Sequence, residues 1–180
     1  MTRDELEHAI RAACAVAEDS ELWIFGSQAI LGQYPEAPDT LRASVECDVA
    51  PKNRPEAVER IDLALGELSQ FHETHGFYVH GLSLEAATLP AGWKDRTHKI
   101  QNSNTEQNSG YCVEAHDLAA SKLVAFRDKD REFVRTLLRE GLVDLNTLLD
   151  RIEALPCDAD ERARLGRWVT ITAGSDTTSS

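Results

Sequence analysis

Two short motifs in the first third of the chain combine residue types suited to binding phosphate and a divalent cation. An apolar segment ends at Gly26-Ser27, and Glu46-Cys47-Asp48 begins nineteen residues after Ser27. Glycine allows a close backbone approach to a phosphate, and a serine hydroxyl can donate to one. Because residues i and i+2 of a strand share a face, Glu46 and Asp48 should project together and offer the oxygen ligands that Mg²⁺ prefers. This combination predicts metal-assisted phosphoryl or nucleotidyl transfer.

The same residues also fit a simpler interpretation. Gly26 could do no more than make a turn, and the two carboxylates could line an exposed strand face. Under either interpretation Cys47, which lies between the carboxylates, should point to the opposite face and into the core.

A second group of residues, between Asp117 and Asp130, could supply positive charge. Asp117 is placed to cap a helix, Lys122 offers a point charge for a phosphate, and Arg127 offers a planar fork. Asp130 could hold Lys122 in place or act as a base. The alternative is a solvated helix face with ion pairs between neighbouring turns.

Composition limits the class of protein. A chain of 180 residues fits one domain with a helical appendage, and its net charge of −12 disfavours non-specific nucleic-acid binding. Local positive charge is expected only at residues 94–99 and 122–139. The four cysteines lack metal-site spacing, which indicates reduced thiols and a cytoplasmic protein. No apolar run approaches the roughly 20 residues of a membrane span, so no membrane partner is expected.

Periodicity predicts the elements that must position these residues. Strands are predicted at 22–25, 44–49, 77–82, 97–101 and 111–114, and helices at 3–18, 55–68, 118–127, 129–140, 146–155 and 158–169. This order predicts an α+β fold with an α/β core over 1–118, a C-terminal helical part over 119–170 and a disordered tail over 171–180.

Together these motifs carry a family resemblance. The chain resembles nucleotidyltransferase-like proteins of the DNA polymerase beta superfamily, in the small bacterial subgroup related to AbiE-type and MenT-type toxins. The matching segments are Gly26-Ser27, Glu46-Cys47-Asp48, Leu89–Arg96, Asp117–Lys122 and Arg127–Asp130. The resemblance implies a nucleotidyltransferase-like mixed β-sheet flanked by helices. The implied roles are nucleotide-phosphate binding by Gly26, Ser27, Lys122 and Arg127, Mg²⁺ binding by Glu46 and Asp48, and an essential acid at Asp130.

The implied reaction moves a nucleoside monophosphate from a nucleoside triphosphate to an acceptor hydroxyl. The expected acceptor is an RNA 3′ end, that of a tRNA as in the toxins, and a protein hydroxyl is the next candidate. A toxin role with a cognate antitoxin protein is implied as well. The alternative is a catalytically silent protein of the same fold that senses nucleotides or binds a partner in a defence module.

The chain departs from the superfamily pattern at three points. Glu46 stands where many members have aspartate, and the spacing from Ser27 to Glu46 implies an inserted loop at 35–39. A third metal carboxylate is not evident, and Glu85 and Glu114 are the candidates. His80, His98 and His116 are too dispersed to be grouped from the sequence.

Overall fold

The structure, a computed structural model, describes residues 1–176. The chain divides into two compact units. The first comprises Met1–Ala87 and Arg96–Glu114, and the second joins Thr88–Asp95 to the helices that begin at Ala115.

The first unit is built on a mixed β-sheet. Its strands are β1 (Glu21–Phe25), β2 (Glu46–Pro51), β3 (Tyr78–Gly81), β4 (His98–Ile100) and β5 (Ser109–Cys112). Within the described residues these form one five-stranded sheet in the order β3-β2-β1-β5-β4. The outer pair β4–β5 and the central pair β1–β2 are antiparallel, whereas β2–β3 and β1–β5 are parallel.

Helices cover one face of this sheet. They are α1 (Arg3–Ala17), α2 (Ile30–Gln33), α3 (Asp39–Arg42), α4 (Val58–Leu65) and α5 (Gln70–His75). The α1 helix begins with a capping box formed by Thr2 and Glu5. It contacts β1, β2 and β3, while α4 packs on β3 and α2 contacts β4 and β5. Leu6 and Ile10 of α1 are fully buried beneath the sheet.

Strand alternation separates this covered face from a polar one. Leu22 and Ile24 in β1, with Cys47 and Val49 in β2, are fully buried. The residues between them are partly exposed, and these include Trp23, Glu46 and Asp48 in the central strands and Tyr78 and His80 in β3. The polar side chains of three neighbouring strands therefore share one face of the sheet.

The second unit is helical. It contains α6 (Ala115–Ala125), α7 (Asp128–Arg139), α8 (Leu145–Glu153) and α9 (Ala159–Asp176). The α6 helix begins three residues earlier than predicted, so Asp117 does not cap it. Asp117 lies fully buried in the first turn, and its Oδ1 atom is 3.2 Å from the Nε atom of Arg151. The segment Thr88–Asp95 joins these helices through a hydrogen bond that the Ala91 amide donates to the Ala154 carbonyl.

This arrangement confirms the α+β class, with a mixed sheet flanked by helices and a helical C-terminal part. Residues 171–176 of the predicted tail belong to α9. No proline interrupts the chain after Pro156, and α9 continues to Asp176. Residues 177–180 of that tail lie outside the described residues. In the part of the chain that the structure describes, no helix combines the length and apolar character that crossing a membrane requires.

Candidate functional site

The two carboxylates of β2 project from the polar face of the sheet, as the sequence predicted. The Glu46 side chain is 34% exposed and that of Asp48 is 20% exposed, whereas Cys47 between them is completely buried. Burial raises the pKa of the Cys47 thiol, and the adjacent carboxylates add to that effect. Cys47 is therefore a protonated core residue, and the chemistry of this strand belongs to its two acids.

Gly26 fits directly against one of these acids. It follows β1, whose last residue, Phe25, pairs with Asp48. The Gly26 backbone has φ +71°, and a Cβ atom placed there would come within 1.9 Å of the Asp48 Oδ2 atom. Glycine is therefore required on two grounds, a left-handed backbone and the space that the carboxylate occupies. The turn and the acid form a single structural feature.

The turn after Gly26 is anchored to the segment that precedes β2. Ser27 is half-buried and opens a short 3₁₀ turn, Ser27–Ala29, which runs into α2. Gln28 is fully buried, and its side-chain amide donates a 2.9 Å hydrogen bond to the Ser44 carbonyl. This contact holds Gly26 and Ser27 beside the start of the strand that bears the carboxylates.

His80 completes the cluster. It lies on β3 opposite Asp48, in the parallel register that also places Tyr78 opposite Glu46. The His80 Nδ1 atom is 2.9 Å from Glu46 Oε1 and 3.5 Å from Asp48 Oδ1. Sequence reasoning left this histidine ungrouped, because the partner of β3 and its register are not encoded in any local pattern. The available signal was the strand alternation over residues 77–82.

The geometry of this cluster suits a divalent ion. Glu46, Asp48 and His80 each offer a ligand atom, and all three atoms lie within 4.8 Å of one another. An octahedral ion with bonds of about 2.1 Å holds neighbouring ligand atoms about 3 Å apart. The measured separations are close to that spacing, so small side-chain adjustments would place three ligands around one ion.

Additional acidic groups surround the cluster. Burial, and after it the charges of Glu46, Glu67 and Asp48, raise the pKa of the Tyr78 phenol to about 12. Asp62 approaches His80 from the other side of the ring, with its Oδ1 atom 3.9 Å from Nε2. The Tyr78 phenol therefore stays protonated and donates a hydrogen bond to Glu46, and the local field favours a cation.

Neither carboxylate proposed from the sequence as a third ligand belongs to this cluster. Glu85 is exposed on a 3₁₀ turn, Leu84–Ala86, that follows β3. Glu114 follows β5 with the parity of the buried Cys112, and its charge adds to burial in raising the pKa of Tyr34. Glu114 lies two residues beyond the end of β5 and is buried, and it is not part of the group formed by Glu46, Asp48 and His80. The third side chain of this cluster is His80.

The predicted positively charged residues meet in the second unit. The Lys122 Nζ atom lies 3.5 Å from Asp130 Oδ1 and 4.8 Å from the centre of the Phe133 ring. The Arg127 Nε atom lies 2.6 Å from Asp130 Oδ2. Asp130 is fully buried and pairs with both cations, while the Lys122 side chain is only 12% exposed.

These contacts decide the protonation state of Asp130. Burial acts to raise its pKa, but the hydrogen bond from Arg127 and the charge of Lys122 outweigh burial, and the pKa lies below its usual value. A carboxylate that is ionised and bound to two cations is a poor proton acceptor. Of the two roles that the sequence left open, the geometry favours holding Lys122 in place.

Comparisons with known proteins give the family. Neither the curated proteins nor the solved structures contain a match to this chain. A family model described as "Nucleotidyltransferase of unknown function (DUF6036)" matches residues 4–170, which include both groups of candidate residues. The chain therefore belongs to this family of nucleotidyltransferases.

Proposed function

We propose that the protein transfers a nucleoside monophosphate from a nucleoside triphosphate to an acceptor hydroxyl, with Mg²⁺ or another divalent ion bound by Glu46 and Asp48. The observation that carries this proposal is the contact between Gly26 and Asp48. A positive-φ glycine after a strand is fitted against one of two acids that share a sheet face with His80. The family match supports the reaction class.

The chemistry of the step is a substitution at the α-phosphorus. A bond forms between the acceptor oxygen and that phosphorus, the bond to the bridging oxygen breaks, pyrophosphate leaves, and the hydroxyl proton passes to solvent. The bound ion would supply charge neutralisation on the phosphates. Glu46 and Asp48 would hold it, while Gly26 and Ser27 would present the turn to the phosphates.

Residues of the second unit would act on the charge of the triphosphate. Lys122 is proposed to bind it as a point charge, and Arg127 to bind it through its guanidinium. The ion pair between Lys122 and Asp130 supports a preorganised ammonium group, because Asp130 limits where that group can lie. Asp130 is proposed as a positioning residue.

An RNA 3′ end, and a tRNA in particular, is the proposed acceptor. Support comes from arginine side chains stacked on aromatic rings in the second unit. Arg131 and Arg164 lie 4.9 Å and 4.5 Å from the centre of the Phe126 ring, and Arg135 lies 5.4 Å from that of Trp168. Guanidinium groups and aromatic faces are the groups that bind phosphates and stack on unpaired bases. We call these five residues the arginine–aromatic surface.

The direct test is incubation of the purified protein with each α-labelled triphosphate, total RNA and divalent ions. We expect a labelled RNA band that requires one triphosphate, together with release of pyrophosphate. Asp48→Asn should abolish the band, since it removes a charged ligand, and Lys122→Ala should reduce labelling by about 100-fold.

Asp39→Asn is the matched control for Asp48→Asn. The Asp39 side chain is 95% exposed on the short α3 helix, so the same chemical change should leave labelling unaltered. Full labelling by Asp48→Asn or by Lys122→Ala would show that the assigned roles are wrong.

A second candidate function is nucleotide sensing without transfer. The observation that favours it is the histidine in the third ligand place, since a two-metal transfer site normally relies on carboxylates. Calorimetric titration with each triphosphate separates the two functions. Tight binding of a triphosphate, without pyrophosphate release for any RNA acceptor, would favour the sensor.

A toxin role is proposed on the resemblance to the AbiE-type and MenT-type subgroup. Induced expression in a bacterial host should then arrest growth, and the Asp48→Asn variant should not. Co-expression with the product of a neighbouring reading frame would restore growth if that product is the antitoxin. Normal growth of a host that expresses the wild-type protein, with no nucleotide added to its tRNA 3′ ends, would count against the toxin role.

A further inference from the structure

We infer that His80 is a metal ligand and that the site consequently prefers a transition-metal ion, with Mn²⁺ as the ion to test, over Mg²⁺. This inference rests on the proposed function only in locating the ion at the same carboxylates. It goes further in naming the third ligand and the ion class.

The position of the ring supports direct coordination. The Nδ1 atom of His80 faces both carboxylates, at 2.9 Å from Glu46 and 3.5 Å from Asp48. An ion held by the two acids would therefore meet a nitrogen atom as the next available donor. The His80 side chain is 36% exposed, which leaves room for it to rotate slightly as an ion enters.

A carboxylate also lies near the ring nitrogen that would not bind the ion. A metal-bound histidine carries its proton on the nitrogen that faces away from the ion. That N–H group commonly donates a hydrogen bond to a carboxylate. Asp62 lies on that side, 3.9 Å from Nε2, with its side chain 54% exposed. A small rotation of Asp62 would bring it into hydrogen-bond range.

The donor set determines the ion. Mg²⁺ prefers an all-oxygen shell and keeps several waters, whereas first-row transition-metal ions also accept imidazole nitrogen. Mn²⁺ is the weakest of that series, but it binds a nitrogen ligand more readily than Mg²⁺ does. Two carboxylate oxygens and one imidazole nitrogen therefore favour Mn²⁺ over Mg²⁺ beyond what the carboxylates alone would do. Replacing the nitrogen with an oxygen should remove that additional preference.

Metal binding can be measured without any activity. We would titrate the full chain with Mn²⁺, follow free Mn²⁺ by electron paramagnetic resonance, and obtain the Mg²⁺ affinity by competition. His80→Asp should lower the ratio of Mn²⁺ to Mg²⁺ affinity by about tenfold, because it restores an all-oxygen site. His80→Phe, which removes the ligand but keeps the ring, should weaken Mn²⁺ binding more than Mg²⁺ binding.

Pulsed electron paramagnetic resonance gives a direct signature. Bound Mn²⁺ in the wild-type protein should show hyperfine coupling to a ring nitrogen, and His80→Asp should lose it. His75→Asp is the matched control, because His75 is exposed at the end of α5 and its ring contacts His8 and Phe71. That variant should retain the nitrogen coupling.

The outcomes are decisive in both directions. Nitrogen coupling that depends on His80, together with a lowered affinity ratio in His80→Asp, would establish the ligand. Absence of bound Mn²⁺, absence of nitrogen coupling, or an unchanged ratio in His80→Asp would overturn the inference. Failure of the proposed function would appear separately, as bound metal without labelled RNA.

Discussion

At Gly26 the main chain and a carboxylate occupy adjoining space. The left-handed backbone ends β1 and makes room for Asp48, which is held on the neighbouring antiparallel strand. A side chain at this position would displace the acid, the turn or both. The same atom-scale constraint therefore controls the local stability of the fold and the position of a proposed metal ligand.

Gly26→Ala should destabilise the protein and weaken metal binding together. The backbone strain of a left-handed alanine is about 1 kcal/mol, and the clash with Asp48 should bring the loss in free energy of unfolding to about 3 kcal/mol. Urea denaturation measures the first effect, and Mn²⁺ titration measures the second.

Gly76→Ala separates strain from collision. Gly76 ends α5 with φ +76°, but a Cβ atom there would have nothing within 4 Å. This variant should lose only about 1 kcal/mol of stability and bind Mn²⁺ normally. Equal losses of stability in the two variants would show that the Asp48 side chain moves aside easily and that its close contact with Gly26 is unimportant.

The sequence was sufficient to predict that the two carboxylates share a face, but it was insufficient to predict that His80 joins them. The alternation of Glu46, Cys47 and Asp48 is local and fixes which side chains share a face. His80 reaches them only because β3 pairs in parallel with β2, across a connection that contains α4 and α5. The alternation over residues 77–82 excludes a one-residue slip, which would turn His80 towards the core. A two-residue shift would keep His80 on the polar face and move it away from Asp48, and no local pattern excludes that shift.

Within the helical unit, the corner between α6 and α7 depends on one buried acid. Phe126 adopts φ +52° between the two helices, and the Arg127 amide donates a 3.3 Å hydrogen bond to Asp130. Asp130 also pairs with Lys122 of α6, so a single carboxylate connects both helices. Spacing suggested that Asp130 could hold Lys122, but it did not reveal that the acid is fully buried.

Asp130→Asn should lower the free energy of unfolding by about 2 kcal/mol at neutral pH, because Lys122, whose side chain is only 12% exposed, loses its counter-charge. The loss should depend on pH. Since the folded-state pKa of Asp130 is depressed, its contribution is complete above the unfolded-state value near 3.9 and disappears as pH falls through the folded-state value. Urea denaturation at pH 7 and at pH 3 measures the difference.

Asp128→Asn is the control on the same helix. The Asp128 side chain is 95% exposed and pairs with Arg131 on the surface. Its replacement should change stability little at either pH. A loss from Asp130→Asn that is no larger than that from Asp128→Asn would contradict the connecting role of Asp130.

For the whole molecule, the distribution of charge matters more than the total. A net charge of −12 repels nucleic acid in general. The arginine–aromatic surface lies in the basic stretch predicted from the sequence and in the later helix α9, so its assembly needed the fold. Each of its arginines also pairs with an acid on its own helix, namely Arg131 with Asp128, Arg135 with Glu132 and Arg164 with Glu161. RNA bound there would compete with these acids for the guanidinium groups.

Binding of single-stranded RNA should consequently be weak and sensitive to salt. Fluorescence anisotropy with a labelled oligonucleotide should show affinity that falls steeply between 50 and 200 mM salt. The double variant Arg131→Gln, Arg164→Gln should bind about tenfold more weakly and show a shallower salt dependence, because it makes fewer phosphate contacts.

Arg60→Gln serves as the comparison for charge alone. Arg60 is a half-exposed arginine of the first unit that pairs with Glu18. Its replacement removes one positive charge without touching the arginine–aromatic surface, so RNA affinity should hardly change. Comparable weakening by both substitutions would show that the surface has no special role.

The buried cysteine between the two acids allows the opening of β2 to be measured by thiol modification. A thiol reacts as the thiolate, so Cys47 can be modified only when the strand opens, and an ion that bridges Glu46 and Asp48 should keep it closed. With Mn²⁺ at ten times its dissociation constant, modification of Cys47 should slow by about tenfold. Peptide mapping would record Cys14 of α1 in the same sample, and equal slowing of both thiols would indicate global rather than local protection. The modification rate of Cys47 thus measures metal binding at Glu46 and Asp48 without a labelled ligand, a substrate or catalytic turnover.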